Sequence, residues 1–410
     1  MIEKETLSEK KQSALTTAVD HSGKDVYDYK PRAIIARITK EQLSIPEKEP
    51  LPSPWTIEIE PTLLCNSHCH FCSYEEDIKK FKDRIKEDIN NDNKFGLSKN
   101  RVMSILSEIK QSNTTKGIFW SGGGEPLLWP YFTEAIKFTS TFSDNALQTN
   151  GYFLDKFIKN YENLSLIRLI SISVYADNPN LHKIITKIDS FEKIINNIKK
   201  IISLKEKNGF NLTFGVKILV DRNNYKYLEE IVNFYQNLGL DTVGLRMVQD
   251  YNYGGIGSRK NSVELLPEQK EEIYQKINSL NKKNTLLYNF SKTLNYNAEV
   301  DNIITDHCYN AIDGHFACID SWGDVFLGNP EIGDSNFKIG NINTQNWSEI
   351  WKSEKHFQVI ELMDILEKNG KCKKSLCRHV MANIGTQEYL NGLAEIPNTR
   401  NVISSLGAFL

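Results

Sequence analysis

The sequence predicts an α/β fold, a parallel sheet of six strands with helices between them, followed by a small α+β region. Three features carry that reading. Short apolar runs recur at Trp55–Glu60, Gly117–Trp120, Asn145–Gln148, Leu166–Val174, Leu212–Val220 and Thr242–Met247. Amphipathic stretches lie between them, at Lys99–Lys110, Phe132–Phe142, Phe191–Lys207 and Tyr225–Leu238. Strand and helix therefore alternate at roughly thirty to forty residues per unit, the pattern of βαβ crossovers and parallel pairing. After Met247 the alternation stops, which sets the third feature, a change of architecture.

Taken in order, residues 1–52 are polar, without a clear period, and Glu47–Pro54 is punctuated by prolines; a mobile leader with at most one short helix is expected. The sheet occupies residues 53–250. Within its third helical stretch Ile194, Ile195, Ile198, Ile201 and Ile202 recur at the three- and four-residue spacing of a buried helix face. Glu75–Lys94 is densely charged and reads as a solvated helix and loop, with a substrate-facing rim as the alternative. Residues 251–305 read as a linker with a helix at Pro267–Lys282; the glycine-rich Tyr251–Ser258 lacks the strand-then-helix frame of a phosphate loop. In 306–410, Phe316–Leu327 reads as a hairpin turning at Trp322-Gly323-Asp324, and Trp347–Leu366 as an amphipathic helix.

Composition narrows the class. The chain has 410 residues, enough for more than one domain, and 40% of them are hydrophobic, an ordinary globular share. A formal net charge of −2 argues against binding nucleic acid by phosphate neutralisation. There is no apolar run long enough to span a membrane and no signal segment, so a cytoplasmic location is expected. Seven cysteines in a reducing compartment are expected to be metal ligands rather than disulfides.

The most informative stretch is Cys65-Asn-Ser-His-Cys69-His-Phe-Cys72, directly after the first strand. Three thiolates this close can hold three corners of a [4Fe–4S] cubane and leave the fourth iron open to a small molecule. The competing reading is a zinc knuckle that adds His68 or His70, but zinc sites favour paired units and this spacing is irregular. Ser121-Gly122-Gly123-Gly124-Glu125-Pro126 follows the second strand. Its glycines allow close backbone approach and Glu125 offers a charge-assisted acceptor. Thr149-Asn150-Gly151 follows the third strand, and Ser171 and Ser173 alternate along the fourth. Each of these is weak alone, since a glycine triplet is usually a tight turn and alternating serines can be a solvated strand face.

Together and in this order they resemble the radical SAM superfamily, over about residues 55–247. The resemblance implies an open, partial (β/α)6 barrel with its active site at the C-terminal strand ends. It implies a [4Fe–4S] cluster on Cys65, Cys69 and Cys72, and S-adenosylmethionine (SAM) chelated to the open iron. Phe71 and Asn150 would border that ligand, Gly122, Gly123, Gly124 and Glu125 would receive its ammonium, and Ser171 and Ser173 its ribose or carboxylate. The activity implied is reductive cleavage of SAM to a 5′-deoxyadenosyl radical, which abstracts hydrogen from a substrate.

The remaining cysteines are Cys308, Cys318, Cys372 and Cys377. With the hairpin, Phe337-Lys-Ile-Gly-Asn-Ile and the Ile350-Trp351 helix, they resemble the SPASM or twitch auxiliary domain. Four cysteines rather than seven fit one auxiliary [4Fe–4S] cluster. Structural zinc, a merely buried Cys318, or a hydrogen-donating Cys372 or Cys377 are the alternatives, and His379 reads as a packed or solvated side chain. The resemblance implies a ribosomally made peptide as substrate, cross-linked or epimerised, with a carbohydrate or aminoglycoside as the alternative small-molecule substrate. An electron donor such as flavodoxin or ferredoxin is implied as partner. A reading from a different class is a non-catalytic iron–sulfur carrier, which would need no glycine–glutamate site.

Overall fold

The computed structural model describes residues 50–75, 78–79, 83, 96–248, 264–279, 286–289, 308, 311–329 and 331–370. The leader up to residue 49, most of the charged Glu75–Lys94 stretch, the glycine-rich Tyr251–Ser258, and Cys372, Cys377 and His379 lie outside them.

The sheet forms from β1 (Thr56–Ile59), β2 (Gly117–Trp120), β3 (Asp144–Thr149), β4 (Leu169–Val174), β5 (Thr213–Val220) and β6 (Thr242–Met247), each parallel to the next. All six coincide with the expected apolar runs to within a few residues. Strands β1 to β6 bury alternate apolar side chains such as Ile57, Ile59, Ile118, Ile170, Ile172 and Ile218. Burial of each is worth roughly 1.5–3 kcal/mol. The intervening helices are α1 (Lys99–Ser112), α2 (Phe132–Thr139), α3 (Pro179–Thr186), α4 (Phe191–Asn208) and α5 (Leu228–Gln236). On α4 Ile194, Ile195, Ile198 and Ile201 are buried, and Ile202 packs half-buried beside them.

Sequence reading missed α3, although its start was signalled. Asn178 caps it by accepting from the Leu181 N–H at 3.0 Å, with Pro179 at the first helical position. The stretch 225–238 opens with a 3₁₀ turn at Tyr225–Tyr227 before the α-helix begins at Leu228.

After β6 come α6 (Pro267–Ser279) and β7 (Leu286–Asn289), which adds to β6 in parallel. The expected hairpin is β8 (Phe316–Ile319) and β9 (Asp324–Phe326), antiparallel, with Gly323 at φ +84° in the turn. Its placement was not legible in the sequence. β8 pairs in parallel with β1, Glu58 opposite Cys318, so one ten-stranded sheet runs β10-β9-β8-β1-β2-β3-β4-β5-β6-β7, with β10 at Lys338–Asn341. The stretch 347–366 is two helices, α7 (Trp347–Ile350) and α8 (Glu354–Lys368), rather than one. Lys352 takes φ +64° between them, and Ser353 restarts the helix by accepting from the His356 N–H at 3.1 Å. Arg101 on α1 donates to the Ile342 and Gln345 carbonyls, and Trp351 donates to Leu51 O at 2.8 Å. These contacts fasten residues 342–351 to the β1 side of the sheet.

Candidate active site

The loops that follow β1 to β4 meet at one end of the sheet, around a cavity of about 350 Å³. Cys65, Cys69, Phe71 and Cys72 line it, together with Gly122, Gly123, Gly124, Glu125, Asn150 and Ser173. Residues 85 and more apart in sequence are thus brought to one chamber because each motif sits just past a strand end. Ser171 lies deeper in the barrel, opposite Gln148 in register, and does not line the cavity.

The glycines serve the loop before they serve any ligand. A Cβ on Gly124 would stand 2.4 Å from Leu64 O, and one on Gly123 2.5 Å from Tyr74 Cδ1. Gly122 differs, since the nearest atom to its Cβ would be 3.5 Å away. Gly123 and Gly124 let the β2 turn lie against the cysteine loop, and the Glu125 N–H donates to Leu64 O at 2.7 Å.

Glu125 is 1% exposed, and its carboxylate is a junction. It accepts from Leu127 N at 3.1 Å, Thr149 Oγ1 at 2.7 Å and Asn150 N at 2.8 Å. Thr149 Oγ1 in turn accepts from Gly151 N at 3.1 Å, and Asn197 on α4 donates to Gly151 O at 2.8 Å. Burial pushes the Glu125 carboxyl up to about 7 against the pull of these donors. A carboxylate offers about four acceptor positions, so one remains for an outside donor. Asn150 completes the junction: its Nδ2 donates to Asn66 Oδ1 at 2.9 Å and lies 3.9 Å from Cys65 Sγ.

Burial pushes the Cys65 thiol up to about 12 and the Cys69 thiol also well above its ordinary value, and the nearby Cys72 raises both further. Such thiols give up their protons when a cation arrives to replace them, which suits metal ligation. The histidines do not join them. His68 is exposed, and both ring nitrogens of His70 face protein oxygens away from the cavity. The zinc reading that borrowed a histidine therefore has no support from their placement.

Sequence reading missed the barrel interior. Glu58, Gln148, Lys217 and Arg246 line the cavity from β1, β3, β5 and β6. Each is polar or charged inside an otherwise apolar strand, and that break in the pattern was the available signal. Gln148 donates to Ser173 Oγ at 2.7 Å and accepts from Lys217 Nζ at 3.1 Å. Glu58 accepts from Ser121 Oγ and from Asn329 Nδ2, so the segment after β9 also reaches this chamber. Tyr175, buried just past β4, packs on Phe71 at 5.1 Å between ring centroids. Cys308 is buried in the main core, while Cys318 packs with Phe316, Phe326 and Ile332.

Residues 59–245 match the model of the Radical SAM superfamily. The chain carries a radical SAM domain. The mostly parallel sheet with flanking helices is the α/β arrangement expected, consistent with the partial barrel that the resemblance implies. Among curated proteins the chain is similar to a probable GTP 3′,8-cyclase of Methanocaldococcus jannaschii, 30% identical over 187 residues, 45% of this chain and 56% of that protein. It is also similar to a tungsten-containing aldehyde ferredoxin oxidoreductase cofactor-modifying protein of Pyrococcus furiosus, 26% identical over 45% of this chain and 49% of that one. The match spans about half the length of these relatives. Among solved structures it resembles Streptococcus suis SuiB bound to precursor peptide SuiA, with a TM-score of 0.56 and 14% identity over 86% of this chain and 74% of SuiB. It also resembles anSMEcpe with bound AdoMet and a Cp18Cys peptide, with a TM-score of 0.51 and 16% identity over 80% of this chain and 87% of that one. Among the described residues no helix is long and apolar enough to cross a membrane.

Proposed function

We propose that the protein is a radical SAM enzyme that modifies a ribosomally made peptide. The observation that carries the radical chemistry is the convergence of Cys65, Cys69 and Cys72 with the Gly122–Glu125 turn on one cavity. A non-catalytic iron–sulfur carrier would need the thiols without that turn. The three thiols are a donor set fit for a [4Fe–4S] cluster with one open iron. When bound, such a cluster supplies the electron that cleaves SAM and yields the 5′-deoxyadenosyl radical. The chain's own residues bind, orient and shield. Asn150 orients the Cys65 thiol, Glu125 offers its remaining acceptor position to the methionine ammonium, and Phe71 and Tyr175 close a water-poor wall beside Cys69. Ser173, held by Gln148, presents its hydroxyl at the β4 end.

The peptide reading rests on extent. The curated relatives align with less than half of this chain, whereas the likeness to SuiB and anSMEcpe covers 80–86% of it. Both of those structures hold a peptide. Cys308, Cys318, Cys372 and Cys377 are proposed to hold one auxiliary [4Fe–4S] cluster, and flavodoxin or ferredoxin to deliver the electron. The test is anaerobic reconstitution followed by reduction with SAM. Formation of 5′-deoxyadenosine, and its loss when Cys65, Cys69 and Cys72 are all replaced by Ala, is the expected result. Iron-loaded protein that makes none under those conditions would leave the carrier reading in its place.

A further inference from the structure

The cysteine loop is held from behind, by a contact that no part of the chemistry requires. His70 stands between Cys69 and Phe71, yet its side chain turns away from the cavity toward the gap between α3 and the end of β5. Its Nδ1 lies 3.1 Å from the Ile185 carbonyl oxygen, and its Nε2 lies 2.5 Å from Asp221 Oδ2. A carboxylate only accepts, so the Nε2–H donates to Asp221, while Nδ1 faces the Ile185 carbonyl. Asn223 Nδ2 is also near, 2.9 Å from Nε2 and 3.3 Å from Asp221 Oδ2, and with the ring donating it is the second contact that is a hydrogen bond.

Asp221 is a prepared partner. It is 0% exposed, and Oδ1 accepts from Asn223 N at 2.8 Å and Asn224 N at 3.2 Å, which fixes Oδ2 toward His70. The Asn224 side chain closes the turn by accepting from Asp221 N at 2.8 Å and donating to Tyr175 O at 2.9 Å. The backbone joins in. His68 N donates to Thr186 O at 2.9 Å and His70 N to Ile185 O at 3.1 Å, so the loop satisfies carbonyls that α3 leaves open at its C-terminus.

We propose that His70 and Asp221 form a clasp that positions Cys69 by tying the cysteine loop to the ends of α3 and β5. The inference rests on the reading of Cys65, Cys69 and Cys72 as cluster ligands, and names His70 as a positioning residue for them. The β2 turn and Asn150 hold the loop near Cys65, and the His70–Asp221 contact holds it from the back beside Cys69. Buried charge-assisted contacts are the strongest available to it.

The test uses the full-length protein, reconstituted without air, as parent, His70→Ala, Asp221→Ala, the double variant, and His70→Gln. The readouts are the rate of iron loss to a chelator and the electron paramagnetic resonance signal of the reduced cluster. Each single Ala variant is expected to release its first-lost iron roughly tenfold or more faster than the parent. The double variant should be no faster than the singles, because both break one contact. His70→Gln, which keeps a donor near the Nε2 position, should recover part of the loss. If a single Ala variant does not fold, Asp221→Asn against His70→Gln gives the same comparison. Parental iron-loss rates with an unchanged signal, or strictly additive effects, would overturn the clasp while leaving the cluster reading intact. A parent that binds no iron would overturn both.

Discussion

Replacing Glu125 should damage the fold and the ligand site together, and the structure gives the size. The carboxylate is the acceptor for two backbone N–H groups and one hydroxyl in a place that is 1% exposed. Each buried donor left without a partner costs about 1–3 kcal/mol, so Glu125→Ala should lower stability by roughly 3 kcal/mol or more. Glu125→Gln keeps an oxygen for Thr149 and Leu127 but turns an amide NH₂ toward the Asn150 N–H, and should cost about 1–3 kcal/mol. The effect on pH dependence has a definite sign. Burial raises the carboxyl from 4.5 in the ordinary state to about 7. A raised carboxyl contributes stability that is complete below the unfolded value and is lost as pH rises through the folded one. The parent should therefore lose stability between about pH 4.5 and 7, and Glu125→Gln should lose less. An arriving ammonium acts in the opposite direction, because it favours the ionised form. SAM affinity in the parent should fall below about pH 7, and Glu125→Gln should lack that break. Urea unfolding midpoints across pH, with anaerobic equilibrium dialysis of SAM, measure both. An unfolding midpoint for Glu125→Ala equal to the parent's would refute the junction. Unchanged SAM affinity would remove Glu125 from the ligand site.

Gly124→Ala should disrupt the packing of the β2 turn on the cysteine loop, because its Cβ would stand 2.4 Å from Leu64 O; urea unfolding should show a clear loss, and Gly122→Ala, whose Cβ would meet its nearest neighbour at an ordinary 3.5 Å, should unfold like the parent. Parent protein should bind about eight irons if both clusters form, and the triple change of Cys65, Cys69 and Cys72 to Ala should remove about four, as counted colorimetrically. Cys372→Ala and Cys377→Ala should each remove about four irons while SAM cleavage survives; a full complement in both would count against a four-cysteine auxiliary cluster and favour a hydrogen-donating thiol. Lys217→Met removes a cation from the cavity wall, frees Gln148 from one partner and should weaken binding of a polar ligand without unfolding the sheet, which spectroscopic titration with SAM would detect.

Local pattern was enough for the strands and for the motif loops. A run such as Gly117–Trp120 announces itself because apolar residues must be hidden on both faces of a parallel sheet, and the motifs follow strand ends because that is where loops can meet. What failed to show was long-range. Nothing in Phe-Ala-Cys-Ile states that Phe316–Ile319 will pair with Thr56–Ile59, since either edge of a sheet can accept a strand. The helix at Pro179–Thr186 is short, two turns, and its Asn-Pro start is a weak signal directly after the serine strand. The inward Glu58, Gln148, Lys217 and Arg246 were legible in principle as polar residues inside apolar runs. Their meaning depends on curvature, because only a sheet bent around a chamber turns an inward polar residue from a burial penalty into a wall. The same dependence explains Glu125 and His70. Sequence spacing could offer Glu125 as an acceptor and His70 as a spare ligand. It could not say that Leu127, Thr149 and Asn150 already occupy most of the first, or that Asp221, 151 residues along the chain, has taken the second. A three-cysteine loop is therefore only half described by its cysteines. The groups that hold it in place come from the ends of the next elements around the barrel, and these are found only once the strands have been laid side by side.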